Sequence, residues 1–452
     1  MPVNSKHKEY EHICKKWGLV RSIVANSAED QIRVVDPNDI NRTLQYKKDA
    51  ILTNFTRLTK EGLAGLVFRK DSLMQLPDQI RYIQEDATGY KFGLDQLSQK
   101  LVGEVLETGR HGLLVDYPQE GIGDSGKVAR IRPYAAESII NWRYTDIGSE
   151  YILSLLVLEE KVDKIAEDGF DSEEVCQYRV LFLNEMMEYT QMLYNDDLEP
   201  IPGSVVVPTD YSGNPLSRIP FEFVGSENND AAIDAIPLYD MSVVNLGHYK
   251  ASADLMESMF IAGQPVPVIN PGEVGVEQFN EANPDGVKIG SRKGVVVGTG
   301  GDFKFAQVSP NILPQQVMKD LEKQAAAIGA RLIAPPGGRE TAEGARIRYG
   351  SQNSVLHTIT KNIQKALEHC LQYVALFMME EPEDSVYLLN DQFYEDSVDP
   401  NLLIQNMLLL YDRGLADADE VRDNANRNGV VLNKEFSPQV DPFDGVDDEP
   451  TE

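Results

Sequence analysis

The chain is poor in the residues that build metal centres, disulfides and nucleophilic sites. Its 452 residues include only 3 cysteines and 6 histidines. Cys14, Cys176 and Cys370 lie far apart and form no CxxC pair, which argues against structural disulfides and zinc sites and favours a reducing compartment. HExxH and GxSxG motifs are absent as well. We therefore expect no metal, no cofactor and no catalytic residues.

Long hydrophobic runs are also missing. No apolar stretch approaches the ~18–20 residues that a membrane span needs, and the first residues contain no apolar segment of the secretory kind. Hydrophobic residues make up 42% and charged residues 25%, which is typical of a soluble globular protein. We expect a protein of two to four structural units with no membrane partner.

Basic residues are scarce relative to acidic ones. The chain has 42 Lys and Arg against 72 Asp and Glu, a formal net charge of −30. Such a protein does not bind nucleic acid through a general basic surface. Two interpretations remain open: an ordinary soluble acidic protein, or a surface past which DNA must move without adhering. Charge alone does not separate them.

Hydrophobic periodicity predicts a mixed α+β chain in which a β-rich part lies between helical parts. Helices are predicted at Glu9–Trp17, 44–68, 94–108 (closed by Gly109), 238–260, 312–329, about 342–379, 400–411 and 417–426. Antiparallel strands are predicted at His111–Tyr117, Val128–Tyr134, Ile139–Tyr144, Ile152–Val162, Val175–Asn184 and Met186–Leu193, continuing through 201–225. A Pro/Gly-rich, β-leaning insert at 262–310 separates two of the helices, and an acidic coil ends the chain.

The segment 331–349 carries an unusual local composition. Pro335, Pro336, Gly337 and Gly338 interrupt any helix there, and four arginines occur within these few residues of an acidic protein. A stiff, locally basic loop between two helices is suited to brief contact with a polyanion such as DNA. An ordinary helix connection, with its arginines paired to neighbouring acids, is equally compatible with the pattern. The four arginines are Arg331, Arg339, Arg346 and Arg348.

One nucleotide-binding motif is nearly present. Gly121–Lys127 reads GxxxxGK after a predicted strand, but Val128 occupies the place where a phosphate-binding loop needs Ser or Thr for Mg²⁺. The residues that follow alternate as a strand does and include Pro133, whereas a phosphate-binding loop is followed by a helix. A glycine-rich hairpin turn is the better interpretation.

Several stretches, taken in order, resemble one known family. Asn54–Lys70 looks like a conserved helix, and Gly109–Pro118 is similar to a "GRxGLLVDxP" signature. Arg132–Tyr134, Glu137–Arg143 and Asn390–Phe393 continue the likeness. Together these stretches resemble the bacteriophage portal proteins that carry the uncharacterised-domain label DUF4055, over nearly the whole chain.

The resemblance implies a portal-protein fold, with boundaries taken from the order of elements. It implies an α/β wing at 1–237 with a discontinuous part at 344–380, stem helices at 238–260 and 312–329, a β-rich clip at 261–311, a tunnel loop at 330–343, and a small crown-like region with an acidic tail at 381–452.

The resemblance also implies a function and partners. The chain would form a ring of twelve copies at one capsid vertex, the channel for packaging and ejection of double-stranded DNA. The major capsid protein, a separate terminase ATPase, and head–tail adaptor or tail proteins would be its partners, in the virion and, during assembly, in the host cytoplasm. Another head–tail connector protein is the first alternative, and a P-loop enzyme the second.

The implied site residues fall into two groups. In the first group the arginines are chosen because their charge would attract DNA, and the other residues because they lie in the implied loop. The channel group is Arg331, Pro335, Pro336, Gly337, Gly338, Arg339, Glu340 and Arg346. The clip group is Lys288, Arg292 and Lys293, which would meet either DNA or the packaging motor.

Overall fold

The chain is described by a computed structural model, and its class is α+β. The described residues are 2–118, 128–165, 169–264, 266–287, 296–307, 311–333, 354–379 and 385–391, with the single residues 309, 393, 409, 411 and 413. The helices are α1 Lys8–Val24, α2 Ile40–Asp49, α3 Phe55–Val67, α4 Leu94–Thr108, α5 Tyr239–Gly263, α6 Val276–Ala282, α7 Leu313–Ile333 and α8 Val355–Met378. The strands are β1 Leu73–Gln75, β2 Arg110–Asp116, β3 Arg130–Ala135, β4 Ile139–Ile147, β5 Glu150–Ile165, β6 Ser172–Leu183, β7 Tyr189–Tyr194, β8 Phe221–Gly225, β9 Val266–Asn270, β10 Asp302–Ala306 and β11 Val386–Leu388.

A three-stranded antiparallel sheet lies at the centre of the core. Its order is β3-β2-β8, and β2 is buried along nearly its whole length. Helices α4 and α8 pack on this sheet and on each other. The apolar stripe of α8 is fully buried, because Ile359, Ile363, Leu367 and Leu371 recur at helical spacing and face the core. The hydrophobic core therefore joins residues far apart in sequence.

The end of α4 was predicted correctly, together with its cap. Gly109 closes the helix with a φ of 70°, and its backbone N–H donates to the Val105 carbonyl. A side chain there would also collide with the chain that passes behind it, since an added Cβ would lie 2.5 Å from the Ala235 carbonyl oxygen. Glycine is thus required both by the left-handed backbone and by the close approach.

The second sheet confirms the predicted antiparallel β region. Its strands follow chain order as β4-β5-β6-β7, with hairpin connections. The predicted strands from His111 to Leu193 are all present, with ends shifted by a few residues. In the stretch 201–225, Phe221–Gly225 forms a strand of the central sheet, whereas Val206 makes only an isolated bridge to Gln191.

Three predicted helix boundaries were wrong. Residues 44–68 form two helices rather than one, because Asn54 leaves the helical conformation and caps α3 by accepting a hydrogen bond from the Arg57 N–H at 2.8 Å. The helix predicted from about 342 is not continuous, since Ser354 is extended and caps α8 in the same way. The first helix runs on to Val24, well past Trp17.

Three further boundaries bear on the predicted units. Helix α5 begins at Tyr239 after a cap at Leu238, within one residue of the predicted start, and continues to Gly263, three residues past the predicted end. Helix α7 extends to Ile333, into the segment expected to be a loop. Strand β11, from the region expected to be crown-like, pairs with β1. The helices predicted at 400–411 and 417–426 and the acidic tail lie outside the described residues, apart from the single positions named above.

Candidate assembly surface

The two helices predicted to form a stem pack against each other in opposite directions. Near one end Met241 reaches Gly329, further along Gly247 lies beside Leu321, and at the other end the Asn311 N–H donates to the Ser258 hydroxyl at 3.1 Å. Residue numbers therefore increase along α5 where they decrease along α7, which makes the two helices antiparallel. Helix α5 has 25 residues and is about 37 Å long, so the pair is a long antiparallel rod.

Ion pairs fasten one part of this rod to the rest of the protein. Asp254 accepts a hydrogen bond from Arg33 at 2.5 Å and another from the Tyr46 hydroxyl at 2.7 Å. Three residues further along α5, Glu257 pairs with Arg42 at 2.7 Å. Beyond Glu257 the helix continues for six residues, and Met259 there is more than half exposed. The distal end of the pair therefore projects from the body.

The projecting end carries a small β structure instead of a simple turn. Strands β9 and β10 pair antiparallel, and the short helix α6 follows β9. The glycines at 298–301 form the tight turn predicted before Phe303, with Gly300 at a φ of 68°. The β-leaning character of the insert is confirmed in this part, whereas α6 was not predicted. Val296 and Val297 form no strand, and residues 288–295 of the insert lie outside the described ranges.

Large apolar side chains are exposed along this projecting end. Phe260 is 61% exposed, Val266 60%, Phe305 52% and Leu313 63%. Further exposed apolar residues in the same segment are Met259, Ile261, Val268, Val274, Val276, Ile312 and Val317. We call this set, 259–317, the apolar tip. Many large apolar side chains exposed on one segment are typical of a surface that another protein covers.

An apolar groove lies at the base of the rod, between α3 and α7. Its volume is about 520 Å³, and its walls include Leu58, Leu66 and Met241. Leu58, on one wall of the groove, is 60% exposed. Beside the groove, the buried His248 ring lies edge-on to Phe55, with its Nε2 atom 3.4 Å from a Glu322 oxygen. The groove and the apolar tip offer two different apolar patches on one chain.

The site residues proposed from sequence fall mostly outside the described part of the structure. Arg331 is described: it is exposed and lies in the last turn of α7, where a cation is favourable, rather than on a loop. Outside the described residues lie Lys288, Arg292, Lys293, Pro335, Pro336, Gly337, Gly338, Arg339, Glu340, Arg346 and Arg348. Their roles stay predictions.

The geometry around Gly121–Lys127 contradicts the phosphate-binding alternative. That segment itself lies outside the described residues, but the strands on either side are antiparallel neighbours, with Asp116 opposite Arg130. A phosphate-binding loop joins a strand to a helix, whose N-terminus binds the phosphates. Here a strand follows, so the P-loop interpretation is wrong.

Sequence reasoning missed the apolar tip as a surface. The β-leaning insert at 262–310 was predicted, but the exposure of its apolar residues was not. The available signal was the lack of any second layer to cover a two-stranded insert, since two strands alone do not enclose a core.

Among the described residues there is no group of three or more His, Cys, Asp and Glu side chains arranged to hold a metal. Within those same ranges none of the helices is both long enough and apolar enough to cross a bilayer.

Comparison with known proteins gives one family match and several weak structural ones. Residues 237–378 match a family described as "Domain of unknown function (DUF4055)", which covers α5, the insert, α7 and α8 but less than half of the chain. No curated protein matches the chain.

Among solved structures, the chain is similar to one described as the virion of a native gene transfer agent particle, with 14% identity, 85% of this chain and 92% of that chain covered, and a TM-score of 0.41. It is similar to chains from the neck of an empty and of a native gene transfer agent particle, computed with C6 and C12 symmetry. These have 15% and 16% identity, TM-scores of 0.42 and 0.41, and cover 85% of this chain and 93% of theirs. TM-scores of this size establish neither a shared fold nor a shared function.

Proposed function

We propose that the chain is a portal subunit that assembles into a ring of twelve copies at one capsid vertex. The ring is the channel for packaging and ejection of DNA, and it docks the terminase and the tail adaptor. In this account the rod of α5 and α7 is the stem, and the β9–β10 insert with α6 is the clip. The observation that carries the proposal is the apolar tip, because it projects from the body and needs a partner surface.

A ring is the assembly that this surface favours. Ring closure requires a heterologous contact, in which one patch of a subunit meets a different patch of its neighbour. The apolar tip and the groove beside Leu58 are two such patches on one chain. Burying one large apolar side chain contributes about 1.5–3 kcal/mol, so a few of them, such as Phe260 and Phe305, would hold neighbours together.

The region of the family match supports the same assignment. The matched residues 237–378 contain the rod, the insert and α8, which are the elements named stem, clip and wing helix above. The family description states no function, so the portal assignment rests on the motif resemblance from Asn54 to Phe393 and on the order of these elements. A different head–tail connector remains the alternative, and the β insert between two long helices speaks against it.

The charge of the chain fits a DNA conduit. With a net charge of −30, most of the surface repels phosphates, so DNA would slide past it. A few basic side chains would give brief, salt-sensitive contacts. Arg331 at the end of α7 and the arginines that follow it, Arg339 and Arg346, are our candidates for these contacts.

Sedimentation velocity of two matched double variants tests the assembly surface. Phe260→Asp/Phe305→Asp places charges on the apolar tip, and we expect this variant to stay near the subunit mass of 50.4 kDa while the wild type assembles. Tyr90→Asp/Met186→Asp places the same charges at two exposed positions elsewhere, and it should assemble like the wild type. Assembly of the first variant, or failure of the second alone, would contradict the assignment.

A further inference from the structure

The β5–β6 hairpin extends far beyond the sheet to which it belongs. Strand β4 pairs with β5 only as far as Leu158, and β7 pairs with β6 only as far as Tyr178. The two central strands continue together from there to the pair Ile165 and Ser172. We call residues 159–165 and 172–177 the β arm. With about 3.3 Å per residue, its strands reach about 20 Å past their neighbours.

Both edges of the β arm are open in the described part of the chain. None of the described strands pairs with the outer side of 159–165 or of 172–177. An open edge presents a row of main-chain donors and acceptors that can bind another strand. An isolated two-stranded hairpin is also only marginally stable in water, so a third strand would stabilise the arm. The arm therefore has the form of a strand acceptor.

The charge of the arm selects the kind of strand that fits. The β arm contains five acidic residues and two lysines. Asp163 lies directly opposite Glu174, an arrangement of like charges that is unfavourable, and Lys161 reaches only Glu174, at 2.6 Å. Ile165, near the end of the arm, is 70% exposed. A strand with basic side chains at alternate positions would offset the repulsion on this face.

We propose that the β arm binds an extended, lysine- or arginine-rich segment of another protein, which adds as a third strand along one of its open edges. Main-chain hydrogen bonds would supply affinity, and alternate basic side chains would supply specificity. A second copy of this chain is a poor occupant, because its own net charge is −30. The inference does not depend on ring formation, since the arm is separate from the apolar tip.

Binding of two synthetic peptides to the full chain tests this proposal. The first alternates lysine and valine. The second has proline in place of each valine and N-methyl-lysine in place of each lysine, so it keeps the charge but has no main-chain N–H to donate to a strand edge. Fluorescence anisotropy should show the Lys-Val peptide binding at least about tenfold more tightly than the Lys-Pro peptide. Hydrogen exchange should show new protection of amides along one edge of the β arm.

Two charge-matched variants locate the site. Asp163→Lys/Glu173→Gln alters exposed positions of the arm, and Asp163→Lys creates a favourable pair with Glu174, so the arm should stay folded. Glu277→Lys/Glu281→Gln makes the same charge change on exposed positions of α6. We expect the arm variant to lose about tenfold in affinity for the Lys-Val peptide and the α6 variant to bind like the wild type.

Equal binding of the two peptides would overturn the proposal, because it would reflect general attraction to an acidic protein. Equal weakening by both variants would overturn it for the same reason. Strong protection of the outward-facing amides of 159–165 and 172–177 in the full chain without any peptide would also overturn it, since another copy would then occupy the edges.

Discussion

The guanidinium of Arg110 lies over the ring of Trp142, with its central carbon 3.9 Å from the ring centre. The ring of Phe223 is the second aromatic neighbour, at 4.6 Å. Arg110 is only 1% exposed, and its three side-chain nitrogens have no hydrogen-bond partner among the described residues. Burial lowers the pKa of Arg110 to about 9. The second residue of the stretch Gly109–Pro118 is thus a buried cation held by aromatic rings.

Replacing Arg110 by methionine should leave the free energy of unfolding unchanged or raise it by about 1–2 kcal/mol. A buried charge without hydrogen bonds carries a desolvation cost that an apolar chain of similar volume avoids. Arg110→Lys should instead lower stability, because an ammonium is more strongly hydrated and stacks less well on Trp142. Urea unfolding at neutral pH measures both. A loss of more than about 2 kcal/mol in Arg110→Met would indicate that Arg110 has a buried polar partner.

Removal of Arg21 should destabilise the protein strongly. Its guanidinium bonds Glu104 and Glu107 at 2.6 Å each and Glu137 at 2.9 Å, and Glu107 is also paired with Lys60. Arg21→Met would leave these three glutamates, two of them largely buried, with one cation fewer. We expect the free energy of unfolding to fall by about 3 kcal/mol.

Arg33→Met is the matched control for Arg21→Met, because Arg33 makes one ion pair at an exposed position, and its loss should cost less than about 1 kcal/mol. Equal losses in the two variants would show that the cluster around Arg21 adds nothing.

The same cluster predicts a pH dependence. Burial raises the pKa of Glu104, but the hydrogen bond from Arg21 and the positive charges near the carboxylate together outweigh this, and the net direction is below the usual value of 4.5. A carboxyl group with a lowered pKa contributes stability above its unfolded pKa and loses it as pH falls through the folded pKa. Wild-type stability should therefore fall below about pH 4.5 more steeply than that of Arg21→Met. Parallel curves in acid unfolding would contradict the assignment.

His111 predicts a second pH dependence at a higher pH. The imidazole is completely buried, and burial lowers its pKa from 6.5 to about 4. An unfolded chain therefore binds a proton there between pH 6.5 and 4 while the folded chain does not. Stability should fall as pH falls through that window, by roughly 3 kcal/mol in total.

His111→Gln should remove this slope, and His12→Gln, at an exposed position of α1, is the control that should keep it. Thermal unfolding across the window, at constant ionic strength, measures the slope. An unchanged slope in His111→Gln would assign it to other groups.

Local signals determined how much of the fold the sequence could predict. The α4 helix and Gly109 were predictable because periodicity and a helix-ending glycine agree there. The break between α2 and α3 was missed because apolar residues continue at helical spacing across 50–54, where the chain leaves the helical conformation. The pairing of β11 with β1 could not be predicted, since residues more than 300 positions apart meet there through tertiary packing alone.

The candidate surface was less predictable than the fold. The sequence shows that Phe260 and Phe305 are apolar. Whether their side chains are exposed depends on which elements cover them in the fold. The arginine-bearing segment was visible in sequence by its composition, yet only Arg331 lies within the described residues. The open edges of the β arm follow from the unequal lengths of four strands, which alternation alone did not reveal.

Deletion of Gly337–Glu340 separates assembly from DNA handling. In our account these residues belong to a channel loop and not to the contact between subunits, so the variant should assemble like the wild type. It should package or retain less DNA in particles, as measured by the ratio of DNA to protein. Failure to assemble would make the segment an assembly element and would contradict its proposed role.

Electron microscopy of the purified assembled protein, with mass measured on the same sample, tests the central claim most directly. The account predicts rings of about 600 kDa, twelve times the 50.4 kDa subunit, with a central hole at least as wide as a DNA duplex. A compact dimer or tetramer without a hole would contradict it.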